Sequence, residues 1–134
     1  MQGMAEPLLL ALDQGTSSSR AVIFDGSGQA LASAQVSLPI VYPADGWVEQ
    51  DPLAIWSSQL QAMQQLEDQL SPEQRAAVAA CGITNQRETT VLWRSDQGQP
   101  CGPALVWQDR RTSSICRHWR QQPEAESWQQ RTGL

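Results

Sequence analysis

The sequence predicts an α/β fold. Its centre is a mixed sheet, with a three-stranded antiparallel meander, a crossover helix, and a further strand added parallel to the first. Three observations carry this expectation. Apolar runs at residues 8–12 (LLLAL) and 20–24 (RAVIF) flank a polar, hydroxyl-rich stretch, the pattern of two strands joined by a turn. Asp51-Pro52 has the form of a helix start, with Asp as N-cap and Pro at the first helical position. Residues 77–83 (AVAACGI) are then a small-residue apolar run. A strand, a covering helix and a return strand form a crossover unit, which places the return strand parallel to its neighbour.

Taken in order, the first run reads as a buried strand that ends at Asp13, and the second leads into Asp25-Gly26-Ser27-Gly28, a strong turn signal. Residues 29–38 alternate loosely as a third strand. Residues 39–50 hold two prolines but also Tyr42, Trp47 and Val48 for packing, so they predict an ordered connection. In the helix that follows, Leu53, Trp56, Leu60, Met63, Leu66 and Leu70 recur at spacings of three and four, which predicts one apolar stripe facing the sheet. Ser71-Pro72-Glu73-Gln74 has the shape of a capping box for one more helical turn. The strand at residues 77–83 is expected to be buried, with residues 84–88 at its carboxyl end, where open α/β sheets place ligands. Residues 89–94 and 104–107 predict a further hairpin. Thr112 is a candidate cap for a last helix carrying Ile115, Cys116 and Trp119, with Cys116 as a small core residue, ahead of the Gln-rich residues 121–131. Thr132-Gly133-Leu134 has no stop-like structure, so the sequence is expected to break off in mid-domain.

Composition narrows the function. The chain of 134 residues is 40% hydrophobic and 17% charged, which fits a soluble globular piece of one domain at most. With a net charge of -5 and no basic stripe, it lacks what a nucleic-acid partner requires, since phosphate neutralisation dominates that affinity. All 9 basic residues are Arg, so a Walker-type phosphate site, which depends on its lysine, is excluded. Cys81, Cys101 and Cys116 are odd in number and widely spaced, which points to neither a disulfide framework nor a zinc site and fits a reducing cytoplasm. The apolar run near the start is too short and wrongly flanked for a signal peptide or a membrane span.

Three groups of residues carry chemistry. Asp13 closes a strand and is followed by Gly15, the hydroxyls of Thr16, Ser17, Ser18 and Ser19, and the basic Arg20. Backbone N–H groups near Gly15 and the hydroxyls suit phosphate oxygens, Asp13 suits Mg2+, and Arg20 suits a charge-assisted contact. The same residues also suit a plain hairpin turn. Arg87 beside Glu88 offers donors next to acceptors, which would orient two adjacent hydroxyls of a polyol, although a solvated ion pair has the same composition. Trp107 is one of 6 tryptophans and suits core packing. His118, the one histidine, lies in an Arg-rich stretch and is assigned no function.

The pattern DxGTxSxR, present as Asp13-Gln14-Gly15-Thr16-Ser17-Ser18-Ser19-Arg20, resembles the first phosphate loop of the FGGY carbohydrate kinases, within the actin, Hsp70 and hexokinase superfamily. GWVEQDP at residues 46–52, GITNQRETT at 82–90 and VWQDRRT at 106–112 agree in order, and DQGT with ITNQRETT and VWQ is similar to the glycerol kinases of that family. The resemblance implies an RNase H-like half-domain, with residues 1–134 as part of an N-terminal kinase domain whose second domain is absent. It implies ATP-dependent phosphorylation of glycerol to glycerol 3-phosphate, with ATP and Mg2+ required. Asp13, Gly15, Thr16, Ser17, Ser18 and Arg20 would lie on the nucleotide phosphates, with Asp13 on the metal side. Arg87 and Glu88 would bind glycerol, Trp107 would lay an aromatic face along its carbon chain, and Asp109 to Arg111 would stabilise the following turn. The family's base, an Asp, its pocket tyrosine and most of its adenosine pocket fall beyond residue 134, so no catalytic base is expected in this chain and the chain alone is expected to be inactive. A cytoplasmic homo-oligomer is the implied setting. The alternatives are another FGGY sugar kinase, of pentulose or gluconate type, and a non-catalytic binding or regulatory half-domain.

Overall fold

The computed structural model describes residues 6–133. β1 (Leu8–Gln14), β2 (Ser18–Phe24) and β3 (Ala30–Ser37) form the meander. The chain then passes through β4 (Glu49–Gln50), α1 (Pro52–Glu67), α2 (Pro72–Ala76), β5 (Val78–Thr84), β6 (Ala104–Leu105), α3 (Ser113–Arg120) and α4 (Ala125–Thr132). The main sheet has the order β3-β2-β1-β5. β2 is antiparallel to both neighbours and β5 is parallel to β1, so the expected α/β fold with meander and crossover is the observed one. β4 and β6 pair in a separate two-stranded sheet.

Local chemistry explains the elements. At the β2–β3 turn the Asp25 carboxylate accepts from the N–H groups of Ser27 and Gln29, while Gly28 takes the left-handed φ of 86° that the turn requires. Asp51 caps α1 by accepting from the Leu53 N–H at 2.9 Å, and Ser71 and Gln74 form the reciprocal capping box of α2. Leu8, Leu12, Ala21, Ile23 and Ala34 of the sheet meet Ala62, Leu66 and Leu70 in the core.

Packing departs from the sequence expectation at four places. Only the second half of the expected stripe faces the sheet: Leu66 and Leu70 are buried with Met63 packed beside them, whereas Leu53, Trp56 and Leu60 are exposed and α1 buries Ser58 and Ala62 in their place. Small side chains let the helix backbone approach β2 and β3 closely, and the Ser58 and Ser19 hydroxyls hydrogen-bond across that contact at 2.7 Å. β5 is not buried: α1 lies over β2 and β3, and Ile83 of β5 is 77% exposed. Residues 89–94 form no continuous strand: they pair antiparallel with residues 99–105 only through the isolated bridges Thr90–Leu105 and Trp93–Pro100, so the expected hairpin is present in interrupted form. Finally, Thr112 makes no side-chain cap bond, and Ile115, Cys116 and Trp119 are exposed on α3. The Gln-rich stretch forms α4, whose Trp128 meets Trp119 edge-on at 6.1 Å between ring centres. Leu134 lies outside the described residues, within which no helix is long and apolar enough to cross a membrane.

Candidate functional site

The hydroxyl-rich stretch divides between strands and a tight tip. β1 continues through Asp13 and Gln14, β2 already includes Ser18, Ser19 and Arg20, and the Gly15 N–H closes the tip on the Ser18 carbonyl at 2.9 Å. The protein ties down both carbonyls of the tip. Thr16 O accepts from Gln50 Nε2 at 2.7 Å and Ser17 O accepts from the Leu38 N–H at 2.8 Å. The N–H groups of Thr16 and Ser17 make no hydrogen bond among the described residues. Donors are thus left free at a turn whose acceptors are used, which is the arrangement that receives an anion.

Parallel pairing of β1 with β5 sets Asp13 beside Thr84, so the chain leaving β5 runs past the hairpin tip. A cavity of about 310 Å³ opens between them, lined by Asp13, Gln14, Gly15 and Thr16 on one side, by Asn85, Gln86, Arg87 and Glu88 on the other, and by Trp107. Asp13, Gly15, Thr16, Arg87, Glu88 and Trp107 are therefore brought together, whereas Ser17, Ser18 and Arg20 are not part of the lining. Strand pairing explains the difference. Arg20 points along the exposed sheet to Gln35 Oε1 at 3.0 Å, and the Ser18 hydroxyl accepts from Gln35 Nε2. The side chains of Asp13, Arg87 and Glu88 make no hydrogen bond or ion pair among the described residues, Arg87 and Glu88 with each other included. Glu88 is the one described non-glycine residue with positive φ, at 67°. Such a conformation costs on the order of 1–3 kcal/mol and persists only where its neighbours impose it.

The neighbours that impose it were not found from the sequence. Gln86 Nε2 donates to Gln50 Oε1 at 3.0 Å, Thr89 Oγ1 donates to Gln86 Oε1 at 3.1 Å, and the Trp107 backbone N–H donates to Thr89 Oγ1 at 3.2 Å. The Trp107 indole Nε1 in turn donates to Thr16 Oγ1 at 2.9 Å. Gln50 is 1% exposed and Gln86 9%, so both amides satisfy their polar atoms inside the protein. No periodic or spacing signal marks a buried glutamine next to a helix cap. Membership of the GWVEQDP and NQRETT segments was the available hint.

A second cluster clamps the arm that carries Trp107. Asp109 accepts from the Val48 N–H at 2.7 Å and from Arg111, and Arg111 also reaches Glu49 at 2.8 Å while its guanidinium lies 3.9 Å from the centre of the Trp47 ring. Asp109 is thus the acceptor that joins residues 46–49 to 109–111 and also holds the Arg111 N–H of its own turn. Hydrogen bonds from Arg111, aided by the Val48 N–H and opposed by burial, hold its carboxyl well below the usual carboxylate range. A depressed folded value stabilises the fold above the unfolded pKa near 3.9, and that stabilisation is lost as pH falls through the folded value. Asp109→Ala is therefore expected to lower Tm by roughly 5–10 °C at pH 7. The deficit should persist down to about pH 5 and shrink below about pH 4, as melting curves across pH can check.

Comparison with known proteins identifies the fold and the family. The structure superimposes on a gluconate kinase from Lactobacillus acidophilus with a TM-score of 0.84, at 22% identity over 97% of this chain and 25% of that one. It superimposes on a glycerol kinase from Plasmodium falciparum, solved with ADP, with a TM-score of 0.77, at 25% identity over 92% of this chain and 25% of that one. The fold is thus that of the sugar kinases with an actin- and hexokinase-like architecture. The chain belongs to the FGGY family of carbohydrate kinases, whose N-terminal domain matches residues 8–134. Among its relatives are glycerol kinases of Acidovorax sp. (strain JS42), 53% identical over 128 residues, and Herminiimonas arsenicoxydans, 52% identical over 128 residues. Each alignment covers 94% of this chain and 25% of the relative, so the chain spans about a quarter of the length of these relatives.

Proposed function

We propose that this chain is the N-terminal part of a glycerol kinase, which transfers the γ-phosphoryl group of ATP to a primary hydroxyl of glycerol. One observation carries the reading: a single cavity is lined by Asp13, Gly15 and Thr16 of the hairpin tip and by the free Arg87 and Glu88 opposite, with Trp107 beside them. The relatives named glycerol kinase support the choice of acceptor. Thr16 and the tip N–H groups would receive phosphate oxygens, and Ser17, Ser18 and Arg20 would take outer positions toward the nucleotide. Arg87 and Glu88 would hold two adjacent hydroxyls of glycerol, and Trp107 would flank its carbons.

The donor set fits Mg2+ carried on the nucleotide. Asp13 presents a free carboxylate to the cavity, and no cluster of three metal-ligating side chains exists among the described residues. A single carboxylate plus phosphates and water is the usual holding of that ion. When bound, the ion neutralises phosphate charge. Asp13 would position it, while the group accepting the glycerol proton would come from outside residues 1–134. The domain, on this reading, is one part of a larger cytoplasmic homo-oligomeric kinase.

The test uses a complete kinase carrying this chain as its N-terminal quarter. Arg87→Ala is expected to lower kcat/KM for glycerol by roughly 10- to 150-fold, from lost charged hydrogen bonds, with KM for ATP nearly unchanged. The reverse pattern would move Arg87 to the nucleotide side and sink the assignment. Glu88→Gly separates function from folding. Relief of the left-handed backbone should offset the extra freedom of the unfolded chain, leaving Tm within about 3 °C. Activity toward glycerol should nevertheless fall by at least about tenfold. A large Tm loss with normal activity per folded molecule would make Glu88 a structural residue.

A further inference from the structure

We propose that Gln50, Gln86 and Thr89 are positioning residues that hold the phosphate turn and the polyol-binding arm in one register. This inference rests on the kinase reading above for its kinetic consequence, but not for its geometry.

The bonds run head to tail. The Trp107 N–H donates to the Thr89 hydroxyl, Thr89 to the Gln86 carbonyl oxygen, the Gln86 amide to Gln50, and the Gln50 amide to the Thr16 carbonyl. The Trp107 indole then donates to the Thr16 hydroxyl and closes the ring. From the Trp107 N–H to the Thr16 carbonyl every donor points the same way, so each of these bonds polarises the next. The indole bond closes the ring with Trp107 donating and Thr16 accepting at both ends. Turning either amide over would set oxygen against oxygen. The orientation of both glutamines follows from the ring itself.

Its placement argues for more than local stability. Gln86 immediately precedes Arg87 and Thr89 immediately follows Glu88, so the two anchors bracket the pair whose side chains are free and whose backbone reaches φ 67° at Glu88. The far end of the ring is Thr16, at the tip opposite. A threonine hydroxyl has one proton and two lone pairs. With the Trp107 indole occupying a lone pair, the Thr16 proton is left to donate into the cavity. The ring therefore sets both the separation of the two sides and the direction of one donor. A shift of about 1 Å between reacting groups costs on the order of 100-fold, while each half-site keeps its own contacts.

The distinguishing signature is a loss of kcat without a matching loss of affinity. In the complete kinase, Thr89→Val and Gln50→Leu are expected to lower kcat by roughly 10- to 100-fold, with KM for glycerol and for ATP each within about threefold of wild type. Thr89→Ser keeps the hydroxyl and should return kcat to within about threefold. Gln50→Glu keeps the acceptor for Gln86 but has no donor for Thr16, and should behave like Gln50→Leu. In the 134-residue chain, the Trp107 indole N–H resonance, assigned with Trp107→Phe, should move in both Gln50 variants. Unchanged kcat in folded Thr89→Val, a loss confined to one KM, or an unmoved indole resonance in folded Gln50 variants would each overturn the proposal. If Gln50→Leu does not fold, Thr89→Val and its serine rescue decide the matter. A wild-type kinase without glycerol-dependent turnover would defeat the glycerol reading, and the indole resonance would then decide the register alone.

Discussion

The 134-residue chain by itself is expected to release no ADP above background when supplied with glycerol, ATP and Mg2+. Phosphoryl transfer needs donor, metal and acceptor held in line, and the protein's contribution is positioning and charge neutralisation. The cavity that gathers Asp13, Thr16, Arg87, Glu88 and Trp107 lies open to water: β5 behind it is exposed, and Arg87 and Glu88 are themselves exposed to solvent. Charged contacts screened by water return a fraction of what they give in an enclosed site. General base catalysis typically contributes about 100- to 10,000-fold, and the chain has no residue assigned to it. Affinity should be weak as well. Glycerol has six heavy atoms, which caps even an ideal site near 9 kcal/mol at about 1.5 kcal/mol per atom, and half a pocket falls far short. A coupled assay for ADP on the purified chain is the check. Glycerol-dependent turnover above an Asp13→Ala control would mean that these residues suffice for catalysis, against the reading as part of a larger kinase.

In a complete kinase, Gly15→Val is expected to lower kcat by about 1000-fold while Tm falls by no more than about 10 °C. A Cβ at position 15 would meet the Ser18 carbonyl oxygen at 3.0 Å, the same oxygen that accepts the Gly15 N–H and closes the tip. Neither partner can swing away as a flexible side chain would, because both are backbone. Two β-branch methyls add to that contact. The tip must open, which displaces the N–H groups of Thr16 and Ser17 and strains the Thr16 bonds to Gln50 and Trp107. The strands on either side remain supported by the β1–β2 ladder and the core under α1, so global stability should suffer less than chemistry. Kinetics and melting on the same preparation decide it. A collapse of Tm with normal kcat per folded molecule would return residues 13–20 to the status of an ordinary hairpin.

Much of this protein was legible in its sequence because the signals concerned are local. The apolar runs that become β1 and β2 are read from consecutive residues alone. The Asp51 cap and the Ser71–Gln74 box need only four consecutive residues. The phosphate-turn and Arg-Glu motifs were read from residue type and order, and they supplied Asp13, Thr16, Arg87 and Glu88. What the sequence could not determine were relations between segments far apart in the chain. Whether α1 buries Leu53, Trp56 and Leu60 or Ser58 and Ala62 depends on how closely a twisted sheet lets the helix approach, a distance set by β2 and β3 together. Arg20 falls outside the cavity lining because strand pairing aims it at Gln35. Gln50, Gln86 and Thr89 became visible only when β4, the end of β5 and the Trp107 arm met, since a glutamine's role follows from its partners, and these lie as far as 36 residues away along the chain. The sequence by itself determined the elements and the chemical types at the site. Tertiary structure decided which faces are buried and which polar groups are left free for a ligand, because burial and hydrogen-bond satisfaction are properties of the packed whole.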